Sequence, residues 1–199
     1  MMKIKFYLCL LMLVITYSKL YTQQRNTADK FLSYLNHYQG KELEAIITPD
    51  FKFKREFVTK TTDRKEFLSS YLEDSKTLKA KFHVIENASE KNKNDYVVED
   101  RSLYLKLLNV KFPKWKMTIT TAGEKVSSVK LAPTEDYKNY ITELSSQGEK
   151  FNSWMKKHYP EVDLAKLTDL PQTLHYLYAY VDAQGIKLSD LQQYDETAD

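Results

Sequence analysis

Cysteine is nearly missing from this chain: there is one in 199 residues, Cys9, and it lies inside the apolar run at the N-terminus. Beyond that run no disulfide, thiolate metal site or cysteine nucleophile can form. Glycine is almost as scarce, with four residues against fifteen tyrosines. That balance disfavours a loop-rich architecture and favours surfaces and hollows lined by rings with a polar tip. A glycine-rich phosphate loop, a nucleophile elbow and a zincin motif are all missing. His37, His83, His158 and His175 have no paired metal-ligand spacing, so no metal and no cofactor is expected. An excess of one charge is lacking too, at 30 basic against 27 acidic residues. Near-neutral charge gives no electrostatic basis for binding nucleic acid, which rests on neutralising phosphates.

What is present begins with a targeting pattern. Lys3 and Lys5 form a basic start, Phe6 to Tyr17 is apolar, and Thr16 and Ser18 are small residues spaced for cleavage after Ser18. The run is short for a membrane span, so no stable span is expected after cleavage; a retained N-terminal anchor is the alternative. Cys9 follows bulky Tyr7 and Leu8 rather than small residues, which argues against lipid attachment. Residues 1–18 therefore read as a signal peptide, which makes the protein periplasmic or secreted. Its mature form would carry no cysteine, as suits an oxidising compartment.

A spacer over 19–26 leads into the folded part. Phe31, Tyr34, Leu35 and Tyr38 recur at helical spacing from Thr27 or Asp29, and Gly40 is expected to end that helix. A short helix over Lys41 to Ile47 stops at Thr48-Pro49-Asp50. Phe51, Phe53 and Phe57 then alternate with charged residues as a half-buried strand. Asp63 and Glu66 form a capping pair for a helix carrying Phe67, Leu68, Tyr71 and Leu72. Strand patterns follow at Ala80 to Asn87 and Tyr96 to Glu99, while Ser102 to Val110 fits either a short helix or a strand. Trp115, Met117 and Ile119 alternate with Lys116, Thr118 and Thr120, a turn follows at Ala122 to Lys125, and Val126 to Leu131 runs back as a hairpin. Beyond Pro133 the periodicity turns helical: Tyr137 to His158, interrupted by Gly148, then Val162 to Leu170, then Pro171 to Gln184, stopped by Gly185. Its aromatic face is too large to leave wet and must pack outside the sheet, over its open end, or on a partner. Tyr176 and Tyr180 form a second face on the last helix, either buried or available to a partner or glycan.

Three segments, FLSYLNHYQGKELEAIITPDFKFKREF, TDRKEFLSSYL and KWKMTITTAGEKVSSVKL, resemble the start, middle and end of the nuclear-transport-factor-two-like, or SnoaL-like, superfamily. The resemblance spans about 27–132 and is closest to secreted bacterial members with an added helical tail. It implies an α+β fold: a cone-shaped, curved antiparallel sheet packed on N-terminal helices, with a C-terminal helical extension over 133–193 and a tail over 194–199. It implies that Tyr34 and Tyr38 stand where steroid isomerases of the superfamily place a hydrogen-bond donor, with Asp50 as the carboxylate nearest in order. Opposed to this, both rings would serve as packing and Asp50 as a turn residue. A second acidic donor has no counterpart on the late strands, where Met117, Ile119 and Val129 stand. Glu99-Asp100-Arg101 resembles the acid and arginine groups of epoxide hydrolases, yet only Glu99 and Arg101 can share a strand face, as a solvated ion pair. His83 is the candidate base by likeness to dehydratases, or else an ordinary strand residue.

The resulting expectation is a secreted, non-enzymatic binding protein whose pocket, lined by Tyr34, Tyr38, Phe53, Trp115 and Met117, takes a small, largely apolar ligand. The alternatives are a small-molecule isomerase or dehydratase using Tyr34, Asp50 and His83, or an envelope interaction module, with a homodimer through the outer sheet face as its expected form. Intact-mass measurement of the protein exported by its own host should give a chain beginning at Lys19; retention of residues 1–18 would mean an anchor instead.

Overall fold

The computed structural model describes residues 27–87, 94–187, 189 and 191. The targeting pattern, Cys9 and the tail over 194–199 lie outside them.

Helix α1 (27–36) forms because Ala28, Phe31, Leu32 and Leu35 fall on one stripe and are buried. Tyr38, not Gly40, turns the chain out of it: Tyr38 takes a left-handed φ of 56°, and its hydroxyl donates to the Ala80 carbonyl at 3.1 Å. Gly40 instead opens α2 (Gly40–Ile46), where a Cβ would lie 3.3 Å from Leu72 Cδ2, so its role is close packing. Strand β1 (Ile47–Arg55) buries Ile47, Phe51 and Phe53 and leaves Lys52 and Lys54 outside. Phe57 lies beyond that strand, in the turn that follows it. A two-residue strand, β2 (Thr62–Asp63), precedes a helix whose first turn Asp63 caps by accepting from the Glu66 amide at 2.9 Å. The helix runs as α3 (Arg64–Glu66), a π turn (Phe67–Tyr71) and α4 (Leu72–Thr77).

Strands β3 (Lys81–Asn87), β4 (Asn94–Arg101), β5 (Lys114–Ala122) and β6 (Lys125–Pro133) complete one sheet in the order β2-β1-β6-β5-β4-β3. All neighbours pair antiparallel except β1 with β6, which run parallel, a departure from the wholly antiparallel sheet expected. The sheet is open, and pairing shifts in β1, in β3 between Val84 and Glu86, and between Thr120 and Thr121 supply the local kinks that bend it. Gly123, with φ of 62°, supplies the left-handed residue that the tight β5–β6 turn needs.

The concave face closes over α1 and the π turn. Phe67 is the centre of this packing: its ring lies 6.0 Å from Phe31, 4.9 Å from Phe51, 5.4 Å from Phe53 and 5.3 Å from Tyr71. Each buried ring of this size contributes about 1.5–3 kcal/mol. Together they fill the deep part of the cone.

The segment that fits helix or strand equally is a helix, α5 (Leu103–Leu107), with the Ser102 hydroxyl accepting from the Leu105 amide. Leu103, Leu105 and Leu107 alternate because this helix is buried on more than one side: it belongs to a second core with Phe112, Phe151, Met155, Leu174 and Leu177. The extension therefore packs on α5 and the loop after it. It comprises α6 (Tyr137–His158), a 3-10 turn (Leu164–Lys166) in place of the longer helix expected there, and α7 (Leu170–Ala183). α6 runs unbroken through Gly148, which is not a place of close packing, since a Cβ there would meet nothing within 4 Å. Tyr176 and Tyr180 pack against Tyr159 and Trp154 of the same chain.

One side chain fastens the outermost strand to the cone. Asn36 donates to the Phe82 carbonyl at 2.9 Å and accepts from the Phe82 amide at 2.8 Å, as a neighbouring strand would. Asn36→Ala should lower stability by about 1–3 kcal/mol, because it leaves a part-buried amide unpaired. Urea midpoints of the variant and the parent test this, and a difference near zero would mean that β3 does not depend on the contact.

Candidate functional site

Strand alternation places charge where the cone opens. Phe51 and Phe53 point inward on β1, and the next inward residue is Arg55 at the strand's end. On β4 the inward series is Tyr96, Val98 and then Asp100. The same end of the sheet holds the start of β5 at Trp115 and the end of β6 at Leu131. These residues, with Phe57, Tyr71, Ser75, Leu78 and Phe82 from the cone, Ser102, Tyr104 and Leu105 around α5, and Tyr140 and Leu170 from the extension, line a cleft of about 420 Å³. The extension thus supplies part of the wall.

Asp100 accepts a hydrogen bond from the Trp115 indole at 3.2 Å. Its carboxyl is pushed up to about 6, chiefly by burial, while the Trp115 bond and the Arg55 charge act in the opposite direction. The Arg55 guanidinium lies 5.6 Å from the ring centre of Tyr71 and 6.0 Å from that of Phe53. Burial, then the nearby Asp100 charge, holds the Tyr71 and Tyr140 phenols above their ordinary range, so both remain donors throughout the physiological range. Trp115 is stacked on Phe57 at 4.3 Å and meets Tyr140 edge-on at 5.9 Å. A carboxyl that titrates near neutrality, two phenols and a cation thus share one aromatic hollow. Such a set can hold a polar group, donate to an oxygen, or take and return a proton.

The residues singled out from sequence are mostly elsewhere. Tyr34 is half-buried against the deep core, and Tyr38 is engaged with Ala80. Phe53 and Met117 are wholly buried inside the cone. Asp50 and His83 are exposed on β1 and β3, with His83 paired across from Glu99. None of these six lines the cleft; Trp115 does. Glu99 and Arg101 form an ion pair at 2.6 Å on the other face of β4. Asp100 lies between these two charges in sequence, and the alternation from Tyr96 through Val98 marks it as inward. Arg55 carried the same signal after Phe51 and Phe53. No three His, Cys, Asp or Glu side chains gather as a metal site among the described residues.

No family model matches the chain, and no curated protein matches it. Solved structures are similar at low identity. A nuclear-transport-factor-two-like protein of unknown function from Cytophaga hutchinsonii is 15% identical, with a TM-score of 0.43 over 55% of this chain and 88% of its own. A protein from Kribbella flavida provisionally assigned as a ketosteroid isomerase is 14% identical, with a TM-score of 0.45 over 57% and 80%. One from Sinorhizobium meliloti provisionally assigned as a polyketide cyclase is 8% identical, with a TM-score of 0.47 over 54% and 94%. The fold of the described residues is an α+β arrangement with an open, curved, six-stranded sheet, followed by C-terminal helices.

The raised carboxyl makes a thermodynamic prediction. Folded Asp100 keeps its proton to about pH 6, and an unfolded aspartate to only about pH 4. Between these values the folded state binds more protons, so this group's contribution to stability falls as pH rises through the window. Asp100→Asn should be more stable than the parent at pH 8 by on the order of 1–3 kcal/mol, with the gap closing towards about pH 4. Urea denaturation across that range checks it, and a gap that does not change with pH would mean the carboxyl is not raised.

Proposed function

We propose that this protein binds a small, ring-bearing, largely apolar molecule in the cleft at the mouth of the cone, and that it does so in the periplasm or outside the cell. The observation that carries the reading is the placement of Asp100. It is a carboxyl held by one indole bond at the floor of a hollow walled by Phe57, Tyr71, Tyr104, Trp115 and Tyr140. Aromatic walls with a few convergent polar groups are the usual composition of a small-molecule site, and about 420 Å³ is within the usual size range. Phe31, Phe51, Phe53 and Phe67 occupy the deep cone and are wholly buried there. The export reading rests on the basic-then-apolar pattern of residues 1–18.

A second reading is a proton-transfer enzyme, an isomerase or dehydratase, with Asp100 in the role first assigned to Asp50 and His83. It is favoured by an acid that titrates near neutrality beside two phenols.

Native mass spectrometry of protein purified from its own host should show a small organic molecule retained in the parent. It should be lost from Ser70→Trp, which fills the cleft from an exposed position on its rim. A parent without any retained molecule, or a Ser70→Trp variant that keeps one, would count against the cleft. Recovery of a chemically altered molecule from Asp100→Asn would favour the enzyme.

A further inference from the structure

The geometry points to an organic acid as the occupant of this cleft: a ring compound whose carboxylate meets Arg55 and whose hydroxyl donates to Asp100. This deepens the binding reading above and rests on it.

The first support is the state of Arg55. The described residues include three arginines, and the other two are ion-paired, Arg64 with Glu44 at 3.1 Å and Arg101 with Glu99 at 2.6 Å. Among the described residues Arg55 has no carboxylate within 4 Å. The acids nearest in sequence and on the rim are engaged: Glu56 with Lys130, and Glu66 with Lys60, each at 2.8 Å. Asp74, also on the rim, forms no ion pair with it. Asp100 faces the same space close enough for its charge to sense Arg55, but the two are not in contact as a pair. Among the described residues Arg55 lies against the Phe53 and Tyr71 rings, and its planar fork of donors has no side-chain acceptor. Such a fork suits a carboxylate bidentately.

The second support is Asp100 itself. One of its oxygens accepts from Trp115, and the other accepts no side-chain hydrogen bond among the described residues. An ionised carboxylate can only accept, so the group that meets it must donate. An acid group alone would repel it. A hydroxyl on the far side of the ligand from the acid group satisfies both residues at once, and the aromatic walls between them take a flat ring system.

Calorimetry with three probes separates the contributions: a hydroxynaphthoate with its two groups on opposite rings, the naphthoate without the hydroxyl, and the naphthol without the carboxylate. At pH 7.5, about neutral for this purpose, the parent should bind the hydroxynaphthoate most tightly. Naphthoate should exceed naphthol by roughly tenfold, because Arg55 meets the carboxylate through two bonds whereas Asp100 meets the naphthol hydroxyl through one. Arg55→Gln should abolish the preference for naphthoate over naphthol, and Arg55→Lys should keep part of it. Asp100→Asn should shrink the preference for hydroxynaphthoate over naphthoate. Should Arg55→Gln fail to fold by circular dichroism, the parent's ranking and Arg55→Lys decide. Naphthol bound as tightly as the acids, or a preference unchanged in Arg55→Gln, overturns the organic-acid assignment while leaving a neutral-ligand cleft standing. Failure of all three probes to bind the parent at millimolar concentration overturns the assignment and the cleft together.

Discussion

The structure depends on the filling of a bent sheet by rings. A sheet that curves has one concave face to dry, and Phe67 does most of that work by touching Phe31, Phe51, Phe53 and Tyr71 from a single point. The π turn over Phe67–Tyr71 places Phe67 and Tyr71 on the same side of the helix with near-parallel rings. Single π turns inside an α-helix are frequent at functional sites. The cleft lies where these rings run out, at the open end of the strands.

That end is also where inward positions stop being apolar. Arg55 and Asp100 are each the last inward residue of a strand whose earlier inward residues are wholly or nearly buried. A charge is tolerable there because water reaches the cleft, yet the environment is dry enough to raise the Asp100 carboxyl to about 6. The extension closes one side of this space. Tyr140 packs against both the cone core and the second core around α5, so it joins the two bodies and walls the cleft as well.

Much of the cone was legible because local rules sufficed. The alternation of Trp115, Met117 and Ile119, the cap at Asp63, and the stop at Gly185 each depend on neighbours a few residues away. Ser102 to Val110 was not legible, because a helix buried on several sides loses the single stripe by which helices are recognised. The chain turns out of the first helix at Tyr38 rather than at Gly40 for a similar reason: the left-handed turn is accompanied by the Tyr38 hydroxyl reaching Ala80, 42 residues on. The candidate residues Tyr34, Asp50 and His83 have the right chemistry, but Asp50 and His83 look out from separate strands while Tyr34 packs against the core. Asp100 is masked in the sequence by the adjacent opposite charges of Glu99 and Arg101, and Arg55 by the charged residues that alternate with Phe51 and Phe53.

By itself the amino-acid sequence settled the fold class, the hairpin, the helical character of the last third and the fact that its aromatic face must be covered. The fold class was what the resemblance implied; the rest follow from periodicity and from the need to dry apolar area. Only the tertiary structure decided which strand faces look inward at one common end, that β1 runs parallel to β6, and that Asp100, Arg55, Trp115 and Tyr140 meet. Those outcomes depend on register between strands far apart in the chain, and register is set by the packing of the whole sheet rather than by any stretch within it.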